Sequence, residues 1–312
     1  MTQKCNKLTQ SWIVADVCDR YRVVFKLSPN EPHVMLIDSH HHLWDYSPEE
    51  YGWINDDMLV LKHDFLAPEL RSIASANGVD GFVSVQARQT VEETESLLKI
   101  AAAEPLIKGV VGWVPLADRN VADVLDQFTD APQLKGVRHV VQDEPDDRFI
   151  MGDDFNRGVA LLKDRGLVYD VLIFARQLPA SIEFVDRHPD QPMVLDHMAK
   201  PTICADQYDA EWKKHFRELA RRENIACKFS GVVTEVRDDD WTIDTLRPYW
   251  DVALEAFTPK RLMFGSDWPV CLLRSGHDQW LQTVQQLASE LSEEERSDLF
   301  AGTAIRAYNL AK

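Results

Sequence analysis

The chain contains no C-x-x-C pair, and its five cysteines (Cys5, Cys18, Cys204, Cys227 and Cys271) are odd in number. This excludes a fully paired disulfide framework and favours reduced thiols, as expected of a cytoplasmic protein. No run of 18 apolar residues occurs, so no stretch reads as a transmembrane helix. The first 32 residues lack the continuous apolar stretch and small-residue cleavage site of a signal peptide. Basic residues are scarce: 34 Lys and Arg stand against 51 Asp and Glu, a formal net charge of −17. Such a balance argues against nucleic acid or an anionic membrane surface as partner; it says nothing specific of a small-molecule substrate, and oligomerisation is open. There is no Gly/Ser or Pro-rich linker and no low-complexity segment, so the chain does not divide into separate domains.

What is present fits one large α/β domain. The 312 residues are 45% hydrophobic, enough for a sizeable core. Short Val/Ile/Leu-rich runs predict strands beginning near residue 34 and over 81–86, 107–114, 135–140, 167–173, 193–196, 225–229 and 262–264. Amphipathic or capped segments predict helices over 67–76, 91–103, 121–128, 154–164, 179–187, 211–222, 243–257, 279–291 and 293–299. Strand and helix alternate eight times.

The first strand ends in Asp38-Ser39-His40-His41-His42. Strand alternation places Asp38, His40 and His42 on one face, and two imidazoles so spaced can grip a metal ion or a polarised substrate atom. Two other strands end in chemistry: Met193-Val194-Leu195-Asp196-His197 and Leu262-Met263-Phe264-Gly265-Ser266-Asp267. Polar residues at the C-terminal ends of separate strands converge best in a parallel (β/α)8 TIM barrel, whose strand ends open onto one face.

Five ordered motifs carry a resemblance: Asp38-x-His40-x-His42, Gly136-Val137-Arg138-His139, Leu195-Asp196-His197-x-x-Lys200-Pro201, Lys228-Phe229-Ser230-Gly231 and Phe264-Gly265-Ser266-Asp267-Trp268-Pro269. Together they resemble the amidohydrolase superfamily, in particular its L-fuconolactonase-like lactone hydrolases. The resemblance implies an amidohydrolase-type TIM barrel over residues 34–312 and hydrolysis of a sugar lactone to the aldonic acid. It implies Asp267 as the base that activates water, with His197 beside it as ligand or carbonyl polariser.

His40, His42, His197 and Asp267 could together hold one divalent ion, zinc by its nitrogen and oxygen donors, which would generate a hydroxide near neutral pH. Binuclear relatives bridge two metals with a Lys or Glu at the end of strand four, whereas this chain has Arg138 there, whose charge repels a second metal. At most one ion is therefore expected, and since lactonases of the resembled branch can work without metal, the requirement for one stays open. Arg138, pointing inward, is expected on a substrate oxygen. Gln86 could bond a substrate hydroxyl, and Trp113 or Trp268 could stack on a sugar ring. Lys228 and Ser230 share one face at the end of strand seven.

The alternatives are a lactonase for a dicarboxylate of aromatic catabolism, which would need arginines such as Arg88 and Arg176 in the pocket, a metal-dependent decarboxylase, and a binding protein on an inactive barrel. Cys271 lies just after the Asp267 motif, but no histidine is placed for it, and a buried inert thiol is the expectation. Residues 1–33 match none of these motifs and are expected to be a poorly packed extension. A chain beginning at Met35 should then melt and turn over as the full chain does. A melting temperature lower by several degrees would show that the extension packs on the barrel.

Overall fold

The computed structural model describes residues 35–311; the expected extension over residues 1–33 lies outside them. Eight strands form one parallel sheet in chain order: β1 (Ile37–His41), β2 (Gly81–Val85), β3 (Ile107–Gly112), β4 (Leu134–Val140), β5 (Val168–Leu172), β6 (Met193–Leu195), β7 (Ile225–Phe229) and β8 (Leu262–Phe264). Each neighbouring pair is parallel. The seam between β8 and β1 closes just beyond β8, where Asp267 N–H donates to the His40 carbonyl (2.8 Å) and His42 N–H to the Trp268 carbonyl (2.7 Å). The expected (β/α)8 TIM barrel is the fold.

The helices α1 (Ala67–Asn77), α2 (Val91–Ala103), α3 (Val121–Asp126), α4 (Asp153–Val159), α5 (Leu178–Arg187), α6 (Ala210–Leu219), α7 (Ile243–Arg261) and α8 (His277–Leu287) follow the strands. Two short helices, α9 (Glu293–Ser297) and α10 (Thr303–Ala307), end the chain. The expected helix over 154–164 is two pieces, α4 and a turn at Lys163–Arg165. The regular helix expected to stop at residue 257 does so in dihedral terms, since Thr258 inside α7 has φ 54°. None of the described helices is long and apolar enough to cross a membrane.

Two apolar layers result. The larger lies between strands and helices, where Phe82, Tyr169, Leu195 and Phe229 meet the helix faces. The smaller fills the lower barrel with Val83, Val111, Val168, Val194, Ala226 and Met263, closed from below by Ala301, Ala304, Tyr308 and Leu310. Two residues further along β5, β6 and β7, on the same inward face, stand Asp170, Asp196 and Lys228. The interior is thus apolar below and ionic above. The Tyr308 hydroxyl ties the layers together by donating to Asp170 Oδ2 at 2.7 Å.

β1 breaks the alternation expected of it. Asp38 pairs with Phe82 and His41 with Ser84, so three steps on β1 match two on β2. This is a β-bulge, which re-aims the side chains that follow it. His40 and His42 face the interior as expected, but Asp38 does not join them. Its carboxylate accepts from Ser266 N–H (2.8 Å) and lies 3.1 Å from His277 Nε2 of α8, on the helix side of the sheet.

Candidate active site

At the C-terminal mouth of the barrel four polar side chains face one point. His40 Nε2 and His42 Nε2 are 3.2 Å apart. Asp267 Oδ1 lies 3.4 Å from His42 Nε2, 3.6 Å from His40 Nε2 and 3.9 Å from His197 Nε2. His42, His197, Asp267 and Arg138 each keep 4–5% exposure, whereas His40, Asp196 and Lys228 have none. The first four therefore form the floor of the opening, and the last three lie beneath it.

Each floor residue is fixed by a second contact. His42 Nδ1 is 2.8 Å from the Val85 carbonyl, an acceptor only, so Nδ1 carries a proton and Nε2 is the nitrogen turned to the opening. His197 Nδ1 is 2.9 Å from Ser230 Oγ. A hydroxyl both donates and accepts, so this contact supports His197 with either ring nitrogen protonated. Burial lowers the His197 pKa to about 4, helped by Lys200 and Arg138 and opposed by Asp267 and Asp196. Burial alone would raise the Asp267 carboxyl, but His197, the His42 hydrogen bond and His40 outweigh it and hold the group below the usual carboxylate range.

Both floor residues expected to do chemistry stand on left-handed backbone. Asp267 has φ 60°, and His197, Met198, Ala199 and Lys200 form a left-handed turn with φ between 49° and 59°. Such conformations cost non-glycine residues about 1–2 kcal/mol each and concentrate at functional sites. Gly231 (φ 61°) makes room for the pair: a Cβ there would sit 2.6 Å from His197 Nδ1 and 3.0 Å from Asp267 Oδ2.

Beneath the floor, Lys228 Nζ lies 2.6 Å from Asp170 Oδ2, 2.9 Å from Asp196 Oδ1 and 3.2 Å from His40 Nδ1. Arg138 Nη1 donates to Asp196 Oδ2 at 3.0 Å and approaches His40 Nε2 at 3.3 Å. Its Nη2 donates to the Gln86 backbone carbonyl and, at 3.4 Å, to Gln86 Oε1. Two cations and two carboxylates balance here, as buried charges must. Burial pushes the His40 pKa well below its ordinary value, with Lys228 adding and Asp196 opposing, so the ring is neutral.

The outer expectations fare differently. Gln86 is fully buried and paired with Arg138, a support for the guanidinium rather than a free hydrogen-bonding arm. Trp268 is buried, with its ring edge-on to Phe65 at 5.1 Å, so it is a seam residue with little face left for a sugar. Trp113 is half-buried at the rim and its Nε1–H donates to His139 Nδ1 at 3.3 Å. On the loop after β1, Trp44 and Tyr51 pack together in the core while Trp53 is exposed. Cys271 is buried and its thiol is pushed well up by that burial, an inert group. Sequence reasoning gave no role to Asp170, Asp196, Tyr308 or Gly231. The available signal was a carboxylate in the middle of the apolar run Val168-Tyr169-Asp170-Val171-Leu172, since a buried charge needs a partner.

The donor set fits one metal ion. Tetrahedral zinc with nitrogen and oxygen ligands at about 2.0–2.1 Å separates those ligands by about 3.3 Å. The three edges of the His40, His42 and Asp267 triangle are 3.2, 3.4 and 3.6 Å. A second donor group, His40, Asp196 and His197, shares His40, but Asp196 is already held by Lys228 and Arg138.

Two measurements test this geometry. Gly231→Ala should fold yet lose on the order of 10²-fold in kcat/KM, since an ångström-scale displacement of reacting groups costs about that much; undiminished turnover would show that the close approach is unnecessary. In metal-stripped protein, the His197 imidazole should remain neutral in an NMR titration down to about pH 5, because its native pKa is lowered to about 4. The sign follows: between pH 6.5 and 4 the unfolded ring takes up a proton that the native ring refuses, so this residue's contribution to stability falls as the pH falls through that window. A His197 midpoint near 6.5 would contradict the buried placement.

Residues 37–310 match the amidohydrolase family. The chain is 42% identical over 289 residues to L-fucono-1,5-lactonase of Burkholderia multivorans, covering 88% of this chain and 96% of that protein. It is 32% identical over 281 residues to L-fucono-1,5-lactonase of Burkholderia ambifaria, covering 88% and 95% respectively. A crystal structure of an amidohydrolase from Burkholderia multivorans with bound zinc superimposes with a TM-score of 0.86 at 41% identity, covering 89% of this chain and all of that one. The chain belongs to the amidohydrolase family, in its L-fuconolactonase-like branch.

Proposed function

We propose that this protein is a lactonase that opens an L-fuconolactone-like aldonolactone to its aldonic acid, with Asp267 accepting the proton of the attacking water. The observation that carries the reading is the convergence of His40, His42, His197 and Asp267 at the barrel mouth in a chain 42% identical to a sugar lactonase.

Lactone hydrolysis needs a nucleophilic water, a polarised carbonyl and a proton for the leaving oxygen. The water oxygen bonds to the carbonyl carbon while one water proton passes to Asp267. The ring C–O bond then breaks, and the proton passes from Asp267 to the departing ring oxygen. A carboxylate held below its usual range is ionised at neutral pH, a weak base toward water but one that returns the proton readily to the departing ring oxygen. His197, with Ser230 donating to Nδ1, turns an Nε2–H toward the opening, where it can bond the carbonyl oxygen. Arg138 adds positive charge to the floor, which favours the developing oxyanion.

A zinc ion would be held by His40, His42 and Asp267, with His197 at the edge of the set, and would supply Lewis-acid polarisation and a more acidic water. The zinc-bound structure of the Burkholderia multivorans amidohydrolase supports zinc as the ion. Arg138 stands where a bridging ligand would be needed, so a second ion is not expected.

The dicarboxylate reading loses its arginines. Arg88 is paired with Glu50 at 2.5 Å and lies over Tyr51, and Arg176 is paired with Asp147 at 2.8 Å. That leaves Arg138, itself bound to Asp196 and Gln86, as the remaining arginine of the three.

Asp267→Asn should fold and lose about 10²–10⁴-fold in kcat, because an amide accepts no proton from water. Near-normal turnover in a folded variant would sink the assignment. Metal analysis should find one equivalent of divalent ion or less per chain, and chelation should leave measurable activity. Two tight equivalents would contradict the single site, and complete, metal-reversible loss on chelation would contradict the partial dependence.

A further inference from the structure

Both ring nitrogens of His40 face cationic N–H donors, an arrangement that a pure metal ligand would not have. Lys228 Nζ lies 3.2 Å from Nδ1, and Arg138 Nη1 lies 3.3 Å from Nε2. Nδ1 also lies 3.4 Å from Asp196 Oδ1. A neutral imidazole has one N–H and one lone pair. Lys228 and Asp196 call for opposite states of Nδ1; when Nδ1–H turns to Asp196, the carboxylate–histidine pattern of ligating histidines, the lone pair is at Nε2. That lone pair faces His42 Nε2 and Asp267 Oδ1, but the Arg138 N–H is aimed at it as well.

We propose that Arg138 is the resident cation of this site and competes with a divalent ion for the His40 Nε2 lone pair. The inference rests on the reading of His40, His42 and Asp267 as the metal ligands. One lone pair takes one electrophile, so the N–H contact and a metal bond at Nε2 exclude each other. A metal ion held at Nε2 would displace the Arg138–His40 contact. Arg138 keeps Asp196 Oδ2 and both Gln86 oxygens, so the guanidinium remains anchored after it yields. It also remains a unit positive charge a few ångströms from the ion, which weakens binding further. In the metal-free state the same guanidinium supplies the positive charge that an ion would bring, so the floor is never without a cation.

The test is calorimetric titration of Zn²⁺ into metal-stripped wild type, Arg138→Met and His42→Ala. Arg138→Met should bind Zn²⁺ about tenfold tighter or more, from the removal of a unit charge and a competing donor, and His42→Ala should bind more weakly than wild type. A merely structural Arg138 would give the opposite sign, because a disordered His40 weakens the ligand set. Equal or weaker binding by folded Arg138→Met, with wild type binding normally, overturns the competition and leaves the metal site standing. No binding by either protein removes the metal reading and this inference with it. If Arg138→Met does not fold, a Zn²⁺-soaked crystal of the wild type decides: zinc on His40 Nε2 with Arg138 Nη1 withdrawn supports the competition, and zinc bound with the 3.3 Å contact retained overturns it.

Discussion

The seam between β8 and β1 is where fold and site become one structure. The hydrogen bonds that close the barrel, Asp267 N–H to His40 C=O and His42 N–H to Trp268 C=O, are made by the backbones of the site residues His40, His42 and Asp267 with Trp268. Closing the sheet therefore sets the His40, His42 and Asp267 side chains at their mutual distances. The surrounding contacts tighten the same seam. Ser39 Oγ donates to the Phe264 carbonyl at 2.6 Å, Ser266 N–H donates to Asp38, and Phe65 covers Trp268. A left-handed Asp267 persists in such surroundings because its neighbours on both sides are pinned.

The floor is held from below by charge. Burying Lys228, Arg138, Asp170 and Asp196 costs several kcal/mol per ion in desolvation, and their mutual pairing offsets that cost only in this close arrangement. The return is orientation. Asp196 touches His40, Lys228 and Arg138 at once, so the His40 ring is fixed from two sides. Tyr308 extends the support to the end of the chain, linking the C-terminal residues that close the lower barrel to the ionic layer.

The eight strands were legible because a parallel barrel buries both faces and writes continuous Val/Ile/Leu runs into the sequence. The convergence of His40, His42, His197 and Asp267 followed from their places at strand ends. Asp38 was misplaced because alternation assumes a regular pleat, and nothing in Asp38-Ser39-His40-His41 signals the bulge. The left-handed turn at His197–Lys200 was equally hidden, since His, Met, Ala and Lys carry no preference for that conformation and tertiary contacts impose it. Gln86 and Trp268 were read as substrate contacts because sequence shows which residues reach the mouth, not which are consumed by neighbours. Asp170 could have been singled out as a charge inside an apolar strand and Asp196 as one at a strand end, yet their partners lie on β7 and β4, beyond the reach of local spacing.

The proposed lactonase reading sets an uncharged ester carbonyl against three imidazoles, a carboxylate held below its usual range and Arg138. The peripheral arginines that a dicarboxylate would call on are neutralised by Glu50 and Asp147. Substrate class is therefore the most direct test of the account, read by a pH-indicator screen of sugar lactones and an aromatic-derived dicarboxylate lactone, with and without chelator. The account predicts acid release from L-fuconolactone-like aldonolactones, retained in part under chelation, and none from the dicarboxylate. Turnover confined to the dicarboxylate lactone, with the aldonolactones untouched, would contradict it.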